Sequence, residues 1–251
     1  MFDTIATAGT IANDWPVLVG GLPKALADAV NVFEEAGYAQ GPNVVVDASN
    51  VTVKNAQQAV ADLADALAAA DKFEEAKRRV RRELARQVLH RAGAAVPEVI
   101  EKIRPQFDKA VIEFTEAVNA LPRNITSDEL VNAGPAALAA YQRAAEAAQL
   151  IASVDHWLAS LHGLPAYAGH KPDPTLRVLN PTSRDQLLAL DGAQSKTDSD
   201  PYLRRLNPLY VAAVRAGIEF EMHTPRESVE IRQRIEAQPV ERKPAGVVSF
   251  R

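Results

Sequence analysis

From about Asn55 the sequence runs to Gly93 without a glycine or a proline, and its apolar residues recur at helical steps. Val60, Leu63 and Leu67 are followed by Phe73, Val80, Leu84 and Val88. Spacing of three and four residues sustained over roughly 36 positions predicts one long amphipathic helix. A helix of that kind is stable only when its apolar seam is covered by other helices or by another molecule. Alanine makes up 45 of the 251 residues and is densest between 56 and 148. It has the best intrinsic helix propensity, and its small side chain lets helices approach closely.

A second seam follows Pro97: Ile100, Ile103, Phe107, Val111, Phe114, Val118 and Leu121, spaced 3, 4, 4, 3, 4 and 3. Pro105 lies inside it and predicts a kink or a split at Arg104. The short link from Gly93 to Val96 between the two seams predicts an antiparallel helical hairpin. Its arms would be about 54 and 37 Å long at 1.5 Å per residue, so an overhang or a third helix must make up the difference. A third helix is expected after the 122–134 connection, where Thr126, Ser127 and Glu129 are start signals and Pro135 opens the main run. Between Pro135 and His162 the formal charges are Arg143, Glu146 and Asp155. Leu138 and Tyr141 point to one side of this helix, whereas Leu150, Ile151, Val154, Trp157, Leu158 and Leu161 point to the other. Such a distribution predicts burial against different neighbours at the two ends.

The flanking segments are shorter. The first forty residues read as an irregular start, then a helix opened by Pro23 and closed near Gly37, with a short strand over Asn43 to Asp47. After Gly163, Pro165, Pro172, Pro174 and Pro181 predict an extended connector. Beyond it are a short helix over Ser183 to Leu190, a polar loop from Gly192 to Asp200 and a helix from Pro208 to Ala216. Ile218, Phe220 and Met222 alternate with Glu219, Glu221 and His223, the mark of a half-buried strand; the alternative is a helix continuing from Ala212 to Phe220. Thr224-Pro225-Arg226-Glu227 is a capping box opening a helix that ends before Pro239, and Gly246 to Arg251 would add a last strand. The fold class expected is therefore mainly α: a long-helix bundle over 1–164, built on the hairpin and a third long helix. A Pro-rich connector at 165–200 and a small α/β or helical end piece at 201–251 complete the chain.

Absence of cysteine excludes disulfides, a thiolate nucleophile and Cys-ligated metal. No G-x-G-x-x-G, G-K-[ST], G-x-S-x-G, H-E-x-x-H or E-x-x-H pattern occurs. Asp62 with Asp65, and Glu113 with Glu116, are carboxylate pairs best read as solvent-facing. Asp155, His156, His162 and His170 form the histidine concentration, but the six-position step from His156 to His162 is a poor ligand spacing on a helix. Asp198-Ser199-Asp200 is ordinary loop chemistry. No catalytic residue, metal ligand or cofactor site is expected.

Charge carries the remaining clue. Eight acidic residues oppose two basic ones over 1–70, whereas twelve basic residues oppose nine acidic ones over 71–125. Lys77, Arg78, Arg79, Arg81, Arg82, Arg86 and Arg91 are opposed between 77 and 91 by Glu83 alone. Arg78, Arg82 and Arg86 make an i, i+4 stripe turned away from the apolar seam. That stripe suits an acidic protein partner or nucleic-acid phosphate, or it is simply a solvated face with Glu74–Arg78 and Glu75–Arg79 pairs. A net charge of −4 and the lack of interleaved aromatics disfavour nucleic acid. The reading reached is a non-enzymatic structural or assembly protein whose long helices bind a protein partner, as a homo-oligomer or larger assembly. Nucleic-acid binding is the alternative. No run is long and apolar enough to span a bilayer, and the start lacks the basic n-region of a secretory signal, so a cytoplasmic protein is expected. Usage rich in Ala, Arg and Val, with 19 Arg against 9 Lys, is that of a high-GC bacterium or its phages, where a virion-assembly component is one concrete version.

Overall fold

The computed structural model describes residues 3–45, 48–169, 172–195 and 200–238. It is mainly helical, with one two-stranded antiparallel ladder among the described residues. The chain divides into two compact units, Met1–Ile103 with Gly163–Ala166, and Arg104–His162 with Tyr167–Arg251.

The first unit begins with α1 (Thr4–Val19), where an irregular start was expected. Asp3 caps it, its carboxylate accepting from the amides of Ile5 and Ala6, and Gly20 ends it in the left-handed conformation at φ +68°. Ala8, Ile11 and Trp15 are buried at three- and four-residue spacing, a short periodic signal that Pro16 and the flanking glycines obscure. Helix α2 (Lys24–Tyr38) follows Pro23 as expected and buries Leu26, Val30 and Phe33. Asn43, Val44 and Val45 have no regular structure, and the rest of the strand expected there falls on residues outside those described.

Helix α3 (Ala56–Asn119) is a single element of 64 residues, so the hairpin expected at Gly93–Val96 is not formed. Gly93 keeps a helical backbone and serves close packing instead: a Cβ there would stand 2.9 Å from the Ala166 Cβ. Pro97 and Pro105 each remove one intrahelical hydrogen bond, a cost of about 3 kcal/mol in an isolated helix. Burial continues through both, at Val96, Val99, Ile103, Phe107, Ala110 and Phe114. This continuous seam offsets the local penalty that made a break plausible.

In the second unit, Thr126 caps α4 (Ser127–Asn132) and Pro135 opens α5 (Pro135–Ser160), as the sequence indicated. Helix α5 buries small residues, among them Ala137, Ala140, Ala144 and Ala148, along its first half, and Ile151, Val154, Trp157 and Leu158 along its second. Leu138 is 41% exposed, so Tyr141 is the large side chain buried at the N-terminal end. Two 3-10 turns follow, at Leu161–Gly163 and Pro165–Tyr167. The proline-punctuated stretch beyond them is packed down, with Thr175, Leu176, Val178 and Leu179 buried.

Strand β1 (Leu179–Asn180) pairs antiparallel with β2 (Glu219–Phe220), Leu179 opposite Phe220. The ladder is prolonged by Glu221 N–H to the Val178 carbonyl and His223 N–H to the Arg177 carbonyl. The alternation read over 218–223 is thus a short strand, with Ile218, Met222 and His223 buried. Around it lie α6 (Arg184–Gln194), α7 (Pro201–Arg205), α8 (Pro208–Arg215) and α9 (Pro225–Glu236). The capping box is present: Thr224 Oγ1 accepts from Glu227 N–H, and the Glu227 carboxylate accepts from Thr224 N–H. Phe114, Tyr210 and Phe220 meet edge to face, with centroids 6.0–6.3 Å apart. The strand expected over Gly246–Arg251 lies outside the described residues.

Candidate functional site

The basic run on α3 is divided among several tasks by its position on the helix. Lys77 Nζ donates to the Ala39 carbonyl at 2.7 Å, where α2 ends, a favourable place for a cation beside a helix C-terminus. The Arg81 guanidinium stacks over the Phe33 ring at 5.1 Å and lies against Gly37, so this side chain fastens α2 to α3. Glu75 takes both Arg78 Nη2 at 2.8 Å and Arg79 Nε at 2.6 Å. Its carboxyl is held below the ordinary value by the hydrogen bond from Arg79 and the positive charges of Arg79, Arg78 and Arg82. Arg86 pairs with Glu83 at 2.7 Å.

Arg78, Arg82 and Arg86 therefore share one exposed face as anticipated, but two of the three already have carboxylate partners. Arg82 has no ion pair within 4 Å among the described residues. A shallow depression of about 370 Å³ beside the stripe is lined by Glu83, Arg86, Gln87, His90 and Arg91.

The same helix shows a second feature. From Ala56 to Leu84 no residue of α3 is buried; Ala85 is the first. The half-covered positions are Ala56, Ala59, Leu63, Ala66, Ala70, Phe73, Glu75, Lys77, Arg81 and Leu84, and without Glu75 they step by three or four residues throughout. That is a heptad seam without a full covering. The backbone of Gly41 lies against Phe73 and covers one flank, while Val60, Leu67 and Val80 remain 69%, 51% and 52% exposed. Aliphatic side chains each leave roughly 1.5–3 kcal/mol of burial unrealised when they stay in water. The sequence showed the periodicity, but only the fold reveals that, among the described residues, no position of this part of the seam is fully buried.

The second unit contains polar clusters that sequence spacing could not reveal. Arg177 makes a two-pronged bond to Asp155, 2.6 Å from Nε to Oδ1 and 2.9 Å from Nη2 to Oδ2, and both side chains are 16% exposed. Tyr210 is fully buried; burial first, and then the nearby Asp155 carboxylate, push its ionisation up. Arg232 bridges Asp173 and Asp191, which with Glu236 join α9 to α6 and to the segment before β1. Hydrogen bonding to Asp191 raises the Arg232 pKa. His223 is buried, with Nδ1 2.9 Å from the Leu176 carbonyl oxygen. Partners separated by 22 to 59 positions in sequence satisfy one another here, as structural ion pairs.

A groove beside α5 has about 510 Å³ lined by Ala145, Ala148, Ala152, Arg205, Asn207 and Pro208, and an adjoining recess of about 490 Å³ reaches Leu138, Tyr141 and Tyr202. Tyr141 donates to the Tyr202 carbonyl at 3.2 Å, and burial raises its pKa. Among the described residues, no nucleophile with an adjacent base lines either recess.

Of the histidine concentration, Asp155 is paired with Arg177, His156 is exposed, His162 contacts the Ala159 carbonyl, and His170 lies outside the described residues. Asp200 caps α7, while Asp198 and Ser199 also lie outside. Among the described residues no three His, Asp or Glu side chains are grouped so as to hold a metal ion. No described helix is long and apolar enough to cross a membrane. No protein-family model matches the chain, and neither a curated protein nor a solved structure matches it significantly.

Proposed function

We propose that the protein is a non-enzymatic structural or assembly component that associates through the exposed part of α3. The observation that carries this reading is the stretch from Ala56 to Leu84: a heptad seam four repeats long in which no residue is buried. Helical stability in water comes mainly from covering such a face, so a seam of this length that is only half covered among the described residues is best explained by a helix from another molecule. A virion-assembly component of a phage, or a cytoplasmic assembly protein of a high-GC bacterium, is the concrete version that the composition supports.

Phosphate binding by Arg78, Arg82 and Arg86 is less well supported, because Glu75 and Glu83 already neutralise much of the stripe. Static light scattering tests the proposal. The solution mass is expected at twice the 27.1 kDa of one chain or more; a strict monomer at tens of micromolar would exclude self-association. Fluorescence anisotropy with labelled DNA or RNA at low salt should show no binding, and salt-dependent binding lost on neutralising the three arginines would favour the alternative.

A further inference from the structure

We propose that the exposed ridge of α3 in one copy of this chain docks in the groove beside α5 of a second copy, joining copies head to tail. This rests on the self-association reading above and names the surface that receives α3. The groove is built to take a helix. Leu138, Tyr141, Ala145, Ala148 and Ala152, spaced 3, 4, 3 and 4, line its two recesses along about 21 Å of α5. The three alanines let a second helix come close, and α7 with the turn into α8 supplies Tyr202, Arg204, Arg205, Asn207 and Pro208 to the rest of the lining. Ala145, Glu146 and Arg205 border both recesses, so Arg205 stands at their junction. It has no ion pair among the described residues, and with Arg204 it outweighs Glu146, the acid in the lining.

The helix that fits it is the outer side of α3. Val60, Ala64, Leu67, Asp71 and Glu74 are all exposed and step by 4, 3, 4 and 3, a ridge again about 21 Å long. This ridge lies roughly a quarter turn around α3 from the half-covered positions. Phe73 therefore keeps its contact with Gly41, and Lys77 its bond to the Ala39 carbonyl, when the ridge is covered. The first half of the ridge is apolar and its last turn acidic, and neither Asp71 nor Glu74 has an ion pair among the described residues. Aligned centre to centre, Leu67 falls on Ala145 whichever way the incoming helix runs, and Asp71 lies one turn from it, beside Arg205. A large side chain then meets a small one, as close helix packing needs, and an unpaired carboxylate meets an unpaired guanidinium. Ridge and groove are unlike surfaces, so each copy offers one and accepts the other, and copies add in a chain or close in a ring, which suits an assembly component.

Two double variants separate the surfaces. Val60→Glu with Leu67→Glu spoils the ridge, and Ala152→Glu with Arg205→Glu spoils the groove; all four positions are exposed, so circular dichroism should show the fold intact. By light scattering, at a concentration where the parent is assembled, each variant alone is expected at the mass of one chain. Mixed one to one, they are expected to form a dimer of twice 27.1 kDa and nothing larger, because each retains the face the other has lost. A groove variant that keeps the parent's mass would overturn this docking while leaving association through α3 standing. Variants that stay monomeric when mixed would overturn the pairing of unlike faces. A monomeric parent, or a ridge variant with the parent's mass, would remove this inference and the reading it rests on together. As a second measurement, Asp71→Lys and Arg205→Glu should each weaken association roughly three- to ten-fold, and both in one chain should recover most of it. A double variant no better than the weaker single one would overturn the charge contact.

Discussion

Gly93 offers a sharp test of the packing around α3, because the same substitution has opposite expected signs at two glycines of the first unit. Replacing a helical glycine by alanine ordinarily gains about 0.5–1 kcal/mol by restricting the unfolded chain and adding helix propensity. Gly9, inside α1, has open space where its Cβ would be, so Gly9→Ala should keep that gain. At Gly93 the added methyl would meet the Ala166 Cβ at 2.9 Å, closer than real Cβ contacts allow, at a buried position. Overpacking of that kind costs about 1–3 kcal/mol, which outweighs the propensity gain and leaves a net loss of roughly 0.5–2 kcal/mol. For a chain of this size 1 kcal/mol moves Tm by about 2–4 °C. Thermal melts followed by far-UV circular dichroism, at one fixed protein concentration, should show Gly9→Ala about 1–4 °C above the parent and Gly93→Ala about 1–8 °C below it. A Gly93→Ala variant that melts above the parent, as Gly9→Ala does, would refute the close approach of α3 to Ala166.

Two further outcomes follow from the second unit. Arg177→Ala leaves the Asp155 carboxylate, 16% exposed, without its partner and should cost about 2–4 kcal/mol in urea unfolding; the Asp155→Asn, Arg177→Met double variant should cost less, and a single-variant loss below about 0.5 kcal/mol would contradict the role given to the pair. Tyr210 is held protonated in the fold by burial, so the unfolded chain releases its proton first, near pH 10, and stability must fall as pH rises beyond that. Tyr210→Phe should flatten this alkaline decline with little change at neutral pH, and an unchanged alkaline limb would show that Tyr210 is not its source.

Local chemistry was legible in the sequence wherever a single short motif decides the structure. Thr224 with Glu227, Thr126 before α4 and Pro135 at the head of α5 all act within one helical turn, and each is found in the fold. The opposite lesson comes from Gly93 and Pro97. Both are local signals for a break, but the burial of Val96, Val99, Ile103 and Phe107 on one continuing seam is a tertiary contribution that no local rule contains. Helix α1 was missed for a related reason, since Ala8, Ile11 and Trp15 give only three periodic positions between a cap and two glycines.

Of the candidate site, the stripe of Arg78, Arg82 and Arg86 was readable from i, i+4 spacing, and so was the Glu75–Arg79 pair, whereas Arg78 takes Glu75 in place of the expected Glu74 and Arg86 takes Glu83, a pair the spacing had not suggested. The arginine-to-phenylalanine contact at Arg81 and Phe33 was not, because its partners are 48 positions apart and on different helices. The ion pairs of Arg177 and Arg232 were hidden for the same reason. Periodicity likewise showed that Val60, Leu67 and Val80 belong to an apolar face, but whether a face is covered depends on everything else the chain packs there.

That exposed face is the centre of the account, and its most direct test is the solution mass of a Val60→Glu, Leu67→Glu variant beside the parent. Both side chains are more than half exposed, so the substitutions should leave helicity and Tm close to the parent's. Light scattering should find the parent at twice 27.1 kDa or more and the variant at the mass of one chain. A variant that retains the parent's oligomeric mass, with its fold intact, would contradict the assignment of this stretch of α3 as the association surface.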